Sequence, residues 1–328
     1  MLEPTDPRKI IVTGATSMIG YFLLGKLLTA GYQVHAVSRA SSNSPDTAAK
    51  GVIWHQADVS QPEKLIGIDA WALIHLAPLW LLPPLLNSLD VVRVIGFGST
   101  SVFSKTDSAN ANERNLAARL AAAEEAVGHF CTAKKMDWTL FRPTLVYDGV
   151  RDRNVTLIAH FIKRYGFFPL LGQASGLRQP VHADDLAGAC IQALDESATI
   201  NKTYNLSGGE TLSYRDMVER IFCSLGKASH FLPVPEWLFT GAMRAVALLP
   251  GKQNVTPEMA LRMNVDLCFD HSDERAISGS ARADSCRIGA MGNGKSYHQR
   301  GSSQGRTART EQPGLIWVML TAKPPGTS

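Results

Sequence analysis

Lys9-Ile10-Ile11-Val12 runs straight into Thr13-Gly14-Ala15-Thr16-Ser17-Met18-Ile19-Gly20, so a strand-like run meets an apolar helix with only a tight turn of small residues between them. Gly14 permits the sharp turn, a small residue at 17 allows close backbone approach, and Gly20 lets the helix lie against the strand. The helix opening near Met18 leaves its first N–H groups without helical partners, which favours phosphate at that end. The Gly-x-x-Ser-x-x-Gly spacing therefore predicts a dinucleotide pyrophosphate site, with Ser17 in place of the usual middle glycine. Its candidate cofactor-binding residues are Gly14, Thr16, Ser17, Met18, Ile19 and Gly20.

From residue 9 to about 103, apolar strand-like runs at 9–13, 33–37, 52–55, 72–76 and 91–97 alternate with amphipathic or turn-rich segments. That alternation predicts an α/β fold, a Rossmann-type doubly wound parallel sheet with crossover helices. A first helix from Ile19 to Ala30 is stopped by Gly31, and the Leu- and Pro-rich segment after the fourth strand has room for only a reduced helix. Asn112 to Ala133 is the most helix-prone stretch and leads into a strand over Trp138 to Arg142. The expected division is a dinucleotide-binding domain over 1–145 with returning segments near 180–206, then a smaller C-terminal α+β substrate lobe over 146–275. Helices are expected at Asn154 to Tyr165, Asp184 to Leu194, Tyr214 to Leu225 and Glu236 to Leu249, with a strand over Thr203 to Leu206. From about Ala276 the chain turns rich in Ser, Gly and Arg without an apolar period, and 276–328 reads either as a disordered extension or as the product of a shifted reading frame.

Bulk properties exclude several function classes. With 328 residues, 45% apolar and 19% charged, the chain can bury a full core. A net charge of only +4, from scattered Lys and Arg, gives no footprint for nucleic acid. The five cysteines form no Cys-x-x-Cys pair and have no histidines at metal-ligand spacing, so no metal is expected and a reduced, cytoplasmic location fits best. His75, Pro78, Pro83 and Pro84 interrupt the longest apolar stretch, Trp71 to Leu86, so no membrane span is expected.

Six ordered motifs resemble the extended and atypical short-chain dehydrogenase/reductase superfamily, of the NAD-dependent epimerase/dehydratase type, over roughly residues 8–270. They are Thr13 to Gly20, Ala57-Asp58-Val59 after the third strand, His75-Leu76-Ala77 ending the fourth, Gly98 to Phe103, Arg142-Pro143 to Tyr147, and Val181-His182-Ala183-Asp184-Asp185. The resemblance implies an adenine contact at Asp58 and Val59, although Asp58 also suits a turn cap, and further cofactor contacts at Leu76, Ala77 and Pro143. It puts Ser99 and Thr100 where a hydroxyl orients a substrate oxygen. Arg39, at the end of the second strand, replaces the acidic residue that would hold NAD ribose hydroxyls and suits a 2′-phosphate. NADP(H) is therefore favoured over NAD(H), with a solvated arginine as the bland alternative.

One departure limits the analogy. The superfamily uses a Tyr-x-x-x-Lys pair to exchange a proton, and this chain has none. Its expected place falls near Asn115 or Leu116, and the closest polar pair is Asn115 with Arg119, one helical turn apart. Arg119 can bind the nicotinamide ribose as the lysine does, but Asn115 cannot act as an acid or base. Tyr147 is the remaining phenol to consider as a proton donor, against a packing role, so the catalytic candidates are Ser99, Thr100 and Tyr147. His182, Asp184 and Asp185 could suggest a metal or acid/base cluster, but capping of the next helix by Asp184 is favoured. Phe161 to Leu171 reads as core packing of a helix end, with an apolar pocket or partner surface as the alternative. Two functional readings result: hydride chemistry on a carbonyl or nucleotide-sugar-like small molecule, or a non-catalytic NADPH-binding structural, assembly or redox-sensing protein. Gly172 to Val181, with Arg178-Gln179-Pro180-Val181 entering the His-Asp-Asp turn, resembles the branch containing the NADPH-binding accessory subunit of respiratory complex I, which supports the second reading and brings a protein partner or homodimer into view.

Overall fold

The computed structural model describes residues 8–39, 51–235, 237–239, 241 and 261–270. The helix expected at 236–249 falls largely outside these residues, and the tail from 276 falls wholly outside them.

The first compact unit collects the described residues up to Asp148 with Pro180–Gly209, Phe269 and Asp270. Its strands are β1 (Lys9–Thr13), β2 (Gln33–Ser38), β3 (Ile53–Gln56), β4 (Ala72–His75), β5 (Arg93–Phe97), β6 (Asp137–Pro143), β7 (Leu145–Tyr147), β10 (Pro180–His182) and β11 (Lys202–Leu206). Its helices are α1 (Met18–Thr29), α2 (Leu82–Leu86), α3 (Ser101–Ser104), α4 (Ala111–Lys134) and α6 (Ala183–Asp195). Seven strands form one sheet in the order β11-β6-β5-β4-β1-β2-β3, every pairing parallel. This is the doubly wound Rossmann topology, in which the chain leaves β1 toward β2 and returns to pair β4 on its other side. Strand β7 pairs β10 in a separate short sheet.

A sheet covered on both faces needs strands that are apolar on both sides, and Ile10, Ile11 and Val12 are all fully buried. Ile10 and Val12 join α1 and α6 in one core layer through Leu23, Leu27, Leu186 and Cys190. Ile11 faces the other layer with Leu82 and Leu85 of α2 and Val127 and Cys131 of α4. The segment after β4 does hold only a reduced helix, the five residues of α2, with Pro83 and Pro84 in its first turn, where the missing N–H groups would have no helical acceptor.

The second unit takes Gly149–Gln179 and the described part of Glu210–Cys268. It contains α5 (Val155–Tyr165), β8 (Phe168–Leu171), β9 (Leu177–Arg178), β12 (Leu212–Ser213), α7 (Tyr214–Ser224) and β13 (Phe231–Val234). β8 pairs β13 in parallel and β9 pairs β12 antiparallel. Phe161, Ile162, Phe168, Leu170 and Leu171 are buried in this unit, while Lys163, Arg164 and Tyr165 are exposed. Buried Asp152 accepts from the backbone N–H groups of Gly149, Asn154 and Thr156, fixing the turn into α5.

Among the described residues, no helix is long and apolar enough to cross a membrane. None of their His, Cys, Asp and Glu side chains gather into a group that could hold a metal.

Candidate functional site

The carboxyl ends of β1 and β4 lie side by side, because Thr13 and His75 are partners in the register of these two strands. Gly14 turns the chain there with φ +67°, a conformation that strains any other L-residue. A Cβ on Gly14 would stand 2.8 Å from Ala77 N and from Leu76 C, and one on Gly20 would stand 2.2 Å from Ala15 O. Both glycines therefore hold backbones in contact that a side chain would push apart. Ser17 is the N-cap of α1, its Oγ accepting from Gly20 N at 3.2 Å, and its own N–H is spent on Gly14 O at 2.9 Å. Among the described residues no acceptor meets the N–H of Thr16, Met18 or Ile19. The turn thus offers a cradle and open donors, the arrangement that a pyrophosphate requires.

Behind the turn His75 is fully buried. Its Nε2 faces Pro78 O at 3.1 Å and its Nδ1 faces Thr13 Oγ1 at 2.8 Å. A carbonyl can only accept, so Nε2 carries the proton and Nδ1 accepts from the Thr13 hydroxyl. Burial pushes this imidazole down to about 4, which keeps it neutral and structural.

Arg39 is exposed at the end of β2, and Asp58 lies beyond β3. Asp58 accepts from Ser60 N at 2.9 Å and Ser60 Oγ at 2.8 Å, and these bonds, with Arg39 and Lys64 as further positive influences, hold its carboxyl below the usual range. Val59 beside it is buried. Leu76 and Ala77 are half-buried on the edge that Gly14 abuts.

At the end of β5, Ser99 Oγ accepts from Ser101 N at 3.1 Å and keeps its O–H for another partner. Thr100 is buried and donates its hydroxyl to Pro143 O at 3.2 Å, tying β5 to the end of β6. Tyr147 is buried at the end of β7, its ring edge-on to His182 at 5.1 Å. Asn115 and Arg119 are both exposed on α4, and the Arg119 guanidinium lies 4.0 Å over the Trp80 ring. No phenol stands on that face of α4.

The expectation that Asp184 caps α6 is corrected. His182 is the N-cap, because its extended backbone lets Nδ1 accept from Asp184 N at 3.1 Å. Asp184 sits in the first turn, where the helix dipole favours an anion, and its carboxylate meets Lys26 of α1 at 3.0 Å.

Sequence reasoning missed one pair outright. Glu124 of α4 takes a forked ion pair from Arg142, with Nε at 2.9 and 3.0 Å from the two carboxylate oxygens and a third contact at 2.5 Å. Gly98 makes room for it, since a Cβ there would stand 2.6 Å from Glu124 Oε1. The adjacent Glu124 and Glu125, set among the alanines of the 111–134 stretch, were the available signal. Cys131 and Cys190 are buried thiols, Cys131 pushed up to about 12 and Cys190 also raised by burial, which leaves them inert as nucleophiles.

A parallel sheet switching direction at β1, with a glycine-cradled helix start at that point, defines a Rossmann-type dinucleotide-binding protein of the short-chain dehydrogenase/reductase kind. A model of the NAD dependent epimerase/dehydratase family matches residues 10–79 and 82–207, and the chain belongs to that family. The family is one of nicotinamide-cofactor proteins. Residues of the chain are 32% identical over 116 positions to the mitochondrial NADH dehydrogenase [ubiquinone] 1 alpha subcomplex subunit 9 of Arabidopsis thaliana, a stretch covering 35% of this chain and 28% of that relative's length. UDP-glucose 4-epimerase of Vibrio cholerae is 22% identical over 296 residues, 80% of this chain and 88% of that protein. Among solved structures, UDP-glucose 4-epimerase of Thermotoga maritima with UDP-glucose superposes with a TM-score of 0.64 at 16% identity, covering 87% of this chain and 96% of that one. UDP-N-acetylglucosamine 4-epimerase of Methanobrevibacter ruminantium, in complex with UDP-N-acetylmuramic acid, gives 0.65 at 16% identity, covering 88% and 97%. At such identities these structures speak for the fold alone.

Proposed function

We propose that this protein holds NADP(H) along the carboxyl edge of its parallel sheet and exchanges hydride with a carbonyl or nucleotide-sugar-like substrate. One observation carries the reading: Gly14 is folded against the backbone of Leu76 and Ala77 where no Cβ fits, beside open N–H donors at Thr16, Met18 and Ile19. A bound nicotinamide would supply or accept the hydride. Arg39 is assigned the 2′-phosphate, for which a guanidinium provides forked donors and charge. Asp58 and Val59 are assigned the adenine, Leu76, Ala77 and Pro143 the dinucleotide walls, and Arg119 the nicotinamide ribose. Ser99 retains an O–H with which to orient a substrate oxygen, whereas the Thr100 hydroxyl shapes the loop through Pro143 O. The substrate class draws support from the similarity to UDP-glucose 4-epimerase over most of both chains. Four unbridged cysteines in the described residues support a reducing compartment such as the cytoplasm.

A second reading, NADPH held without turnover in a structural, assembly or redox-sensing role, is favoured by a separate observation. The place expected for the proton-exchanging phenol falls near Asn115 or Leu116, and neither side chain gives up or takes a proton near neutral pH. The local similarity to the Arabidopsis subunit adds to it. Calorimetric titration with NADPH and NADH tests binding and coenzyme choice. Following the fluorescence of bound NADPH against a panel of UDP-sugars and ketones then separates the readings: oxidation matching substrate consumption supports hydride exchange, and coenzyme that stays reduced throughout supports the second.

A further inference from the structure

The Trp80 ring lies on the 3-10 turn Leu79–Leu81, directly beyond the Ala77 edge that Gly14 abuts. That turn is rigid. Pro78 O is held by the buried His75 ring, and Leu79 and Leu82 on either side of the tryptophan are buried. Arg119 approaches from α4, placing its guanidinium 4.0 Å from the ring centre. The helix runs antiparallel to the strands, since α4 ends at Lys134 and β6 begins at Asp137 beside Arg93, the first residue of β5. Glu124, further along α4, meets Gly98 and Arg142 at the carboxyl ends of β5 and β6. Arg119 precedes it by five residues and so stands about 7.5 Å further out along the helix axis, beyond the strand ends. Among the described residues no protein acceptor takes any of its donors.

A free arginine here would sweep many rotamers and lose that freedom on binding. Stacking on an aromatic face holds the guanidinium plane in place beforehand. We propose that Trp80 is a positioning residue that pre-orders Arg119 so that its in-plane donors meet a vicinal diol or neighbouring oxyanion of the bound dinucleotide. The inference rests on the coenzyme reading above and assigns a role to a residue outside every motif of the sequence. It also accounts for the arginine: a lysine ammonium is a compact point charge, whereas a guanidinium gains directional donors once its plane is fixed.

The test is a double-mutant cycle on the full chain, read as the dissociation constant of NADPH by calorimetry. Trp80→Leu is expected to weaken NADPH about fivefold, within the range of an exposed to partly buried cation–π contact. Arg119→Ala is expected to weaken it about tenfold, roughly the value of one charge-assisted hydrogen bond. The double variant should bind no worse than Arg119→Ala alone, because Trp80 acts only through the arginine, and Trp80→Phe should restore most of the loss. Multiplying losses in the double variant, or unchanged binding by Trp80→Leu, would overturn the proposal while leaving coenzyme binding intact. Absence of NADPH and NADH binding by the unaltered protein would instead sink both this inference and the reading beneath it. If circular dichroism shows Trp80→Leu unfolded, Trp80→Phe with Arg119→Ala completes the cycle, with a coupling of about twofold expected and none contradicting it.

Discussion

Thr13 Oγ1 and His75 Nδ1 meet at 2.8 Å between the two central strands, completely out of solvent. Because the ring is held neutral at about 4 against an ordinary 6.5, the unfolded chain takes up a proton in this window and the folded chain does not. Stability contributed by the neutral ring is complete above about pH 6.5 and is lost as pH falls toward 4, by about 3 kcal/mol in total. Urea unfolding at pH 7 and pH 4.5 should show most of that difference, and His75→Asn or His75→Gln should flatten it. An unchanged slope in these variants would assign the acid sensitivity elsewhere.

Gly14→Val places a branched side chain at φ +67° against Ala77 N. Strain of about 2 kcal/mol is expected, together with loss of NADPH binding in the fraction that stays folded. Gly25→Ala is the control, since a Cβ there meets nothing within 4 Å. Thermal unfolding and calorimetry read both quantities.

Arg39→Glu puts a carboxylate at the end of β2, to which ribose hydroxyls would donate and which would repel a 2′-phosphate. Affinity for NADPH should fall by about a hundredfold, a loss of about 3 kcal/mol for a charge-assisted contact, while NADH is held as well or better. Equal affinity of wild type and variant for NADPH would remove Arg39 from the site.

The Glu124 and Arg142 pair closes under Gly98 with the carboxylate almost fully buried. Glu124→Ala leaves the guanidinium without its partner and should cost about 3 kcal/mol, at the lower end for a broken buried pair because Arg142 keeps some exposure. Replacing both, as Glu124→Leu with Arg142→Met, should recover most of it. Chemical denaturation of the three variants measures this, and a Glu124→Ala protein as stable as wild type would contradict it.

Much of this architecture was legible because short-range chemistry and tertiary packing agree in it. Ile10, Ile11 and Val12 are apolar on both faces because the strand is covered on both faces, and Gly14 and Gly20 are glycines because backbones touch there. The helix starts at α5, α6 and α7 fell within a residue or so of expectation, since each has an apolar period and a polar start. Residues that matter through long-range partners were not legible. Nothing near Glu124 announces Arg142, which is eighteen positions away in sequence and adjacent only once α4 lies on the sheet. Trp80 lay in a Leu- and Pro-rich stretch whose composition speaks of packing, and its relation to Arg119 depends on the direction of α4. His182 took the cap from Asp184 because the extended backbone at β10 aims the imidazole back at the helix, a matter of dihedral angles rather than residue type.

A crystal structure of the protein soaked or co-crystallised with NADPH tests the central claim most directly. The account predicts the pyrophosphate oxygens within hydrogen-bond distance of the N–H groups that open α1, with Ala77 against the dinucleotide and Arg39 on the 2′-phosphate. A coenzyme bound elsewhere on the molecule, or an edge between β1 and β4 that stays empty at saturating NADPH and NADH, would contradict it.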